Sequence, residues 1–150
     1  ELARTTQAEP KVRFDLAGVL EEAAADAGLP WPGAAPCEIE AGRLALGQIV
    51  SNLIQNAQRY GGGTPVELAL ECTDKLARVI VRDAGAGIPE DQLEKVFRPF
   101  YRLETSRSQA TGGTGLGLAI VRQLAETNGL KVTLRNRAAG GLEAVLEMSR

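Results

Sequence analysis

The chain has 150 residues, enough for one domain that buries its own core without disulfide or metal staples. Its net charge of −2 supplies no basic field to draw it to nucleic acid or to an anionic membrane. It contains no histidine, which excludes Ser-His-Asp, Cys-His and histidine-ligated metal chemistry within the chain.

Residues 1–10 are polar, end at Pro10 and read as a linker, with residues 11–150 as the domain. Val12, Phe14 and Leu16 alternate with polar residues and predict a short strand. Asp15 is placed to cap a helix that runs to Ala27 and stops at Gly28. A Pro-Trp-Pro-Gly loop at 30–33 leads to a second short strand around Cys37 and Ile39. Residues 43–60 predict a helix with Leu46, Ile49, Val50, Leu53 and Ala57 on one face, ended by Gly61, Gly62 and Gly63. Val66, Leu68, Leu70 and Cys72 alternate, as do Ala77, Val79 and Val81, which predicts two strands turning at 73–75. Pro89, followed by Glu90 and Asp91, opens a short helix.

Residues 98–113 show no period and collect Arg, Ser, Thr and Gly; a loop that long in a compact domain is usually functional or mobile. Residues 116–128 predict a helix closed by Gly129. Leu130, Val132 and Leu134, then Leu142, Ala144, Leu146 and Met148, predict two strands turning at Gly140 and Gly141. Helices and antiparallel strand pairs on one sheet predict a two-layer α/β (α+β) sandwich. Cys37 and Cys72 lie far apart without CxxC spacing and are expected as reduced, mostly buried thiols. No apolar stretch is long enough to span a bilayer, and the start has no signal-peptide pattern. With no initiator methionine, the chain is expected to be a fragment of a longer protein.

Three segments carry chemistry. Asn52, Asn56 and Tyr60 are spaced by four and stack along one stripe of the helix over 43–60. A carboxamide oxygen can ligate Mg²⁺, a hard cation that keeps waters and takes phosphate oxygens as partners. Taken alone, the same residues read more readily as solvated amides and a helix-end tyrosine. Asp83 follows a strand and precedes Gly85, Gly87 and Ile88, so its carboxylate can accept from an exocyclic amine while the glycines admit a flat ring. An ordinary turn is the bland alternative. Gly112, Gly113, Thr114, Gly115, Leu116, Gly117 and Leu118 lie where the long loop meets a helix, and free amides at a helix N-terminus attract phosphate. A flexible hinge would use the same glycines. The dinucleotide fingerprint fails, because Ile120 and Glu90 stand where its third glycine belongs; the Walker loop fails because Leu118 follows Gly117.

In order along the chain, NLIQNAQRY (52–60), DAGAGIP (83–89), VFRPFYR (96–102) and GTGLGLAIV (113–121) resemble the asparagine, first glycine, phenylalanine and second glycine boxes of bacterial sensor histidine kinases. The nearest resemblance is to osmosensor-type kinases, with a short lid and an arginine-containing segment after the phenylalanine box. It implies the Bergerat ATP-binding fold, a mixed sheet of about five strands under three helices. It assigns Asn56 to Mg²⁺, Asn52 and Arg59 to the phosphate region, Tyr60 to the adenine surroundings and Asp83 to the adenine amino group. Gly85 and Gly87 would admit the base beside Ile88. Residues from about 98 to 113 would form an ATP lid anchored by packing of Phe97 and Phe100. Arg102 and Arg107 are candidate phosphate contacts, along with the loop and helix start at Gly113, Thr114, Gly115, Leu116, Gly117 and Leu118.

The cofactors implied are ATP and Mg²⁺. The partners implied are a dimerisation domain that precedes residue 1 and bears the acceptor histidine, and a response regulator. The parent is implied to be a membrane-anchored homodimer, with this domain on the cytoplasmic side of the bacterial inner membrane. In the hydrolytic relatives of the fold, such as gyrase and heat-shock protein 90, a glutamate four residues before the Mg²⁺ asparagine activates water. Here that place holds Asn52, which cannot accept the proton. Histidine autokinase is therefore the reading, with a non-catalytic nucleotide-binding module, an ATPase or a serine kinase as alternatives.

Overall fold

The computed structural model describes residues 8–101 and 117–150. Strand β1 (Val12–Asp15) pairs antiparallel with β2 (Glu38–Ala41) as a two-stranded ribbon, and helix α1 (Leu16–Ala27) connects them. Asp15 starts α1 as its composition demands: Oδ1 accepts from the Ala17 N–H at 3.0 Å and from the Cys37 N–H at 2.8 Å. The cap thus also holds the segment before β2. Gly28 ends α1 in the left-handed region, φ 72°, which a residue with a side chain enters only with strain.

Helix α2 (Arg43–Tyr60) follows, then β3 (Glu67–Cys72), β4 (Leu76–Arg82) and two single 3₁₀ turns, Glu90–Gln92 and Lys95–Phe97. After the second described stretch opens come α3 (Gly117–Thr127), β5 (Lys131–Asn136) and β6 (Leu142–Ser149). The main sheet has the order β3-β4-β6-β5, and every pair among the described residues is antiparallel. This is the two-layer α+β sandwich expected. Its six described strands divide as two and four, because the ribbon stands apart from the sheet.

One sheet face presents Leu68, Val79, Val81, Leu134, Ala144, Leu146 and Met148 to the helices. They close on Leu16, Leu20, Leu46, Ile49, Leu53 and Val121 as a single core. The period-two alternation in the sequence marks this face. The other face carries two cross-strand rows of alternating charge, Glu67-Arg82-Glu143-Arg135 and Glu71-Arg78-Glu147-Lys131. Glu143 receives Arg82 Nε at 2.7 Å and Arg135 Nε at 2.6 Å. Burial pushes the Glu143 carboxyl up, but the hydrogen bonds from Arg135 and Arg82 outweigh it and hold the group below its usual value. Ile80 and Val145 pair in register between the two rows and are buried, with the arginine stems available to cover them.

The cysteines correct the expectation of reduced thiols. Cys37 and Cys72 form a disulfide, with their Cα atoms 6.2 Å apart. Cys37 is fully buried and Cys72 is exposed, so neither the redox state nor the shared burial follows the sequence reading. Folding sets the start of β2 beside the end of β3, at a separation that suits the bridge.

Candidate functional site

The site is assembled where the C-terminal end of α2 meets the loop after β4. Asn52 is half-buried and Asn56 buried at 8% exposure, on the flank of α2 beside its core stripe. Neither carboxamide takes part in a hydrogen bond among the described residues. Arg59 and Tyr60 follow within the next turn, both half-buried.

Asp83 is the most deeply buried ionisable residue described, at 2% exposure. Its Oδ1 accepts from the Gly85 N–H at 2.9 Å and the Leu142 N–H at 3.2 Å, leaving Oδ2 outside both bonds. Its carbonyl accepts from Arg137 Nη1 at 2.6 Å, and its N–H donates to the Leu142 carbonyl at 3.0 Å. A carboxylate held this way has one oxygen fixed and one to offer.

Close backbone approach brings Asp83 to α2, and glycine permits it. A Cβ on Gly85 would lie 2.7 Å from the Tyr60 carbonyl and 2.9 Å from the Gly61 Cα. A Cβ on Gly141 would run into the Asp83 carbonyl. Thr64 Oγ1 fastens the junction, donating to the Gly61 carbonyl at 2.7 Å and accepting from the Ala84 N–H at 3.2 Å. Asn136, at the end of β5, holds the far side of the loop. Its Oδ1 accepts from the Ile88 N–H at 2.9 Å, and its Nδ2 donates to the Ile88 carbonyl at 2.6 Å and to Glu90 at 2.9 Å. Gly87 lies against the same amide with φ 80°.

The structure brings Tyr60 and Gly61, at the end of the helix that carries Asn52, Asn56 and Arg59, against Asp83 and Gly85, with Gly87 and Ile88 further along the same loop; α3 packs against α2 with Gly117 and Leu118 at its start. Arg102, Arg107, Gly113, Thr114, Gly115 and Leu116 lie outside the described residues. Thr64, Asn136, Arg137 and Gly141 escaped the sequence reading as site-building residues. Only Gly141 carries a local signal, as half of a Gly-Gly turn; Asn136 is 48 residues from the loop it holds.

The phenylalanines divide. Phe97 is buried under the Arg122 guanidinium, 3.9 Å from its ring centroid, and Arg122 also bonds Glu94 at 3.0 Å. Phe100 contradicts the expected packing: it is 70% exposed. It stands at the third position of a turn closed by the Tyr101 N–H to the Arg98 carbonyl, with Pro99 before it and φ 66°. A positive φ at that position is the one a turn of this kind requires.

A groove of about 650 Å³ runs between α1 and α2, lined by Val19, Glu22, Arg43, Leu44 and Gly47 among others, but none of the site residues above borders it. Among the described residues no cluster of three Asp, Glu, Cys or His could cage a metal, and no helix is long and apolar enough to cross a membrane.

Residues 41–150 match the family of histidine kinase-, DNA gyrase B- and HSP90-like ATPases. The chain belongs to that family. It is 36% identical over 107 residues to the signal transduction histidine-protein kinase BaeS of Escherichia coli, covering 71% of this chain and 23% of that protein. The chain thus spans about a quarter of the length of the curated relatives it matches. Among solved structures, the ATP-binding domain of PrrB from Mycobacterium tuberculosis matches with a TM-score of 0.74 at 29% identity, covering 94% of this chain and 98% of that one. The histidine kinase ThkA, solved in complex with the response regulator protein TrrA, matches at 25% identity and a TM-score of 0.74, covering 93% of this chain and 41% of that one. The resemblance to sensor histidine kinases carried by the four boxes is borne out.

Proposed function

We propose that this domain binds Mg·ATP and transfers the γ-phosphoryl group to a histidine on a separate dimerisation domain, for relay to a response regulator. One observation carries the choice of kinase over ATPase. The residue four before Asn56 is Asn52, a half-buried amide at the place where a hydrolytic enzyme needs a base. An amide can orient a phosphate or a metal-bound water, but it cannot take a proton from attacking water.

In this reading Asp83 Oδ2 accepts from the adenine amine, and Gly85, Gly87 and Ile88 give the ring a close, dry wall. Asn56 fits a Mg²⁺ ligand: it is a nearly buried carboxamide with no described partner. A Mg²⁺ ion at this position would take phosphate oxygens and waters as its remaining partners. When bound, the metal supplies charge neutralisation at the bridging and terminal phosphate oxygens. Asn52, Arg59 and the first amides of α3 orient the chain of phosphates. The acceptor imidazole nitrogen forms the N–P bond as the bond from γ-phosphorus to the β,γ-bridging oxygen breaks, and ADP leaves. The nucleophile comes from outside, since the chain has no histidine. The parent is then a membrane-anchored homodimer with this domain in the cytoplasm, where ATP and response regulators reside.

The test is phosphoryl transfer from γ-labelled ATP to a histidine-bearing helical hairpin of a related kinase. The expected label is stable in alkali and lost in acid, and Asn56→Ala abolishes it while the domain stays folded. Phosphate release without acceptor labelling would favour an ATPase; acid-stable label on a protein serine would favour a serine kinase. A folded domain that binds no nucleotide would leave only an interaction module.

A further inference from the structure

We propose that Glu9 is a positioning residue that ties the segment ahead of β1 to both helices of the nucleotide site, so that the placement of that segment sets nucleotide affinity. The inference rests on the nucleotide site proposed above. Helix α2 has no side-chain cap of its own, because its N-cap is Gly42. Glu9 supplies one from 35 residues away: Oε2 accepts from the Leu44 N–H at 3.0 Å and Oε1 from the Ala45 N–H at 2.6 Å. Both carboxylate oxygens are thus spent on the electropositive end of the helix. Gly42 makes room for this, since a Cβ there would collide with Glu9 Cγ.

The same residue reaches α3. The Glu9 N–H donates to Asn128 Oδ1 at 3.2 Å, and Asn128 Nδ2 donates to the Leu124 carbonyl at 2.8 Å in the last turn of α3. Residue 9 therefore joins the start of α2 to the end of α3, and Pro10 after it restricts its backbone to extended conformations. Asn52 lies midway along α2 and Asn56 in its C-terminal half, while the opposite end of α3 is its Gly117 start. Eleven helical steps, about 16 Å, separate Ala45 from Asn56.

A cap alone is available more simply, from Ser, Thr or Asp at position 42. Drawing it from a segment outside the helix makes the first turn of α2 depend on where residues 8–10 lie. A pull on the chain ahead of Ala8 then reaches the asparagine helix through one carboxylate and α3 through one amide.

The test uses the 150-residue chain and three variants: Glu9→Ala, Glu9→Gln, and Glu9→Ala combined with Gly42→Asp. Glu9→Ala is expected to weaken Mg·ATP-analogue binding about fivefold at a temperature where circular dichroism shows it fully folded. Amide exchange should speed up at Leu44 and Ala45. Glu9→Gln, which keeps one acceptor oxygen, should recover part of both. The double variant restores a local cap but removes the carboxylate tie between residue 9 and α2: protection at Leu44 and Ala45 and the melting temperature should return, while binding stays weak. Recovery of affinity in the double variant would reduce Glu9 to a plain cap and overturn the proposal, as would unchanged affinity in Glu9→Ala. If the wild type binds no nucleotide, the site reading fails and exchange alone decides the tether. Faster exchange at Asn128 and Leu130 in the double variant would then sustain it, and unchanged exchange would overturn it.

Discussion

Asp83 offers the sharpest perturbation, because its two oxygens have separate duties. Oδ1 accepts from the Gly85 and Leu142 amides, and Oδ2 is left for a ligand. In Asp83→Asn the carboxamide oxygen must take the Oδ1 place, since the two backbone N–H groups need an acceptor. The NH₂ group then falls where Oδ2 stood, and an acceptor facing the adenine amine becomes a donor. A hydrogen bond to a charged acceptor contributes about 1.5–3 kcal/mol, so the ATP dissociation constant should rise about 10- to 150-fold. Inosine triphosphate carries a carbonyl oxygen in place of the amine. It should bind the wild type poorly and regain affinity in the variant, which reverses the preference between the two nucleotides. The melting temperature should move little, because both backbone bonds survive. Asp83→Ala, by contrast, orphans two buried amides at about 1–3 kcal/mol each and should melt well below the wild type. Calorimetric titration with non-hydrolysable ATP and inosine analogues, beside a thermal melt, measures all of this. Equal ATP affinity in wild type and Asp83→Asn, with no change in nucleotide preference, would refute the placing of the base against Oδ2.

The Cys37–Cys72 bridge closes a separation of 35 residues, which on a chain-entropy basis contributes about 3.8 kcal/mol; Cys37→Ser should lower the melting temperature by about 8–15 °C, read by calorimetry with intact mass checking the bridge. Two free thiols in the wild type, with no loss on substitution, would contradict it. Gly141→Ala forces a Cβ into the Asp83 carbonyl at φ 95° and should cost more, and weaken ATP binding more, than Gly140→Ala, whose new carbon meets nothing within 4 Å. The control pays backbone strain of about 1–2 kcal/mol; the overlap at Gly141 adds about 1–3 kcal/mol in denaturant unfolding. Glu143 is held below its usual pKa in the folded state, so its contribution is present above about pH 4.5 and fades as pH falls through the lowered folded value. Glu143→Gln should therefore lose about 1.5 kcal/mol at pH 7, and the gap to wild type should close on acidification; the low figure reflects the solvated Arg135.

How far the sequence reveals this molecule depends on the distance over which each feature is encoded. Helix α2 was readable from Arg43 to Tyr60 because its apolar period and its closing glycines are local. The Asp15 cap and the Gly28 stop are equally local, and the four boxes are short strings whose order survives any fold. Phe100 misled because a buried phenylalanine and a turn-tip phenylalanine look alike until the backbone sign at that residue is known. The disulfide and the Asn136 clasp join residues 35 and 48 apart, and no periodicity reports such a meeting. The charged rows on the outer sheet face are visible in the sequence only as polar positions of alternating strands; their pairing appears once register is known.

That difference explains where the site's precision comes from. In the function proposed above, Asn52, Asn56 and Asp83 would supply the chemistry, yet none of them fixes its own position. Asp83 is held by the amides of Gly85 and Leu142 and by Arg137; its approach to α2 depends on missing side chains at Gly61, Gly85 and Gly141. These glycines come from a helix end, a strand end and a hairpin turn, so a change at any of them shifts the carboxylate without touching it. Ile88 is placed likewise by Asn136, from the far end of β5. A ligand-facing residue can be recognised in isolation because its chemistry is its own. The residues that aim it are recognisable only in the fold, since what matters about them is the backbone they admit.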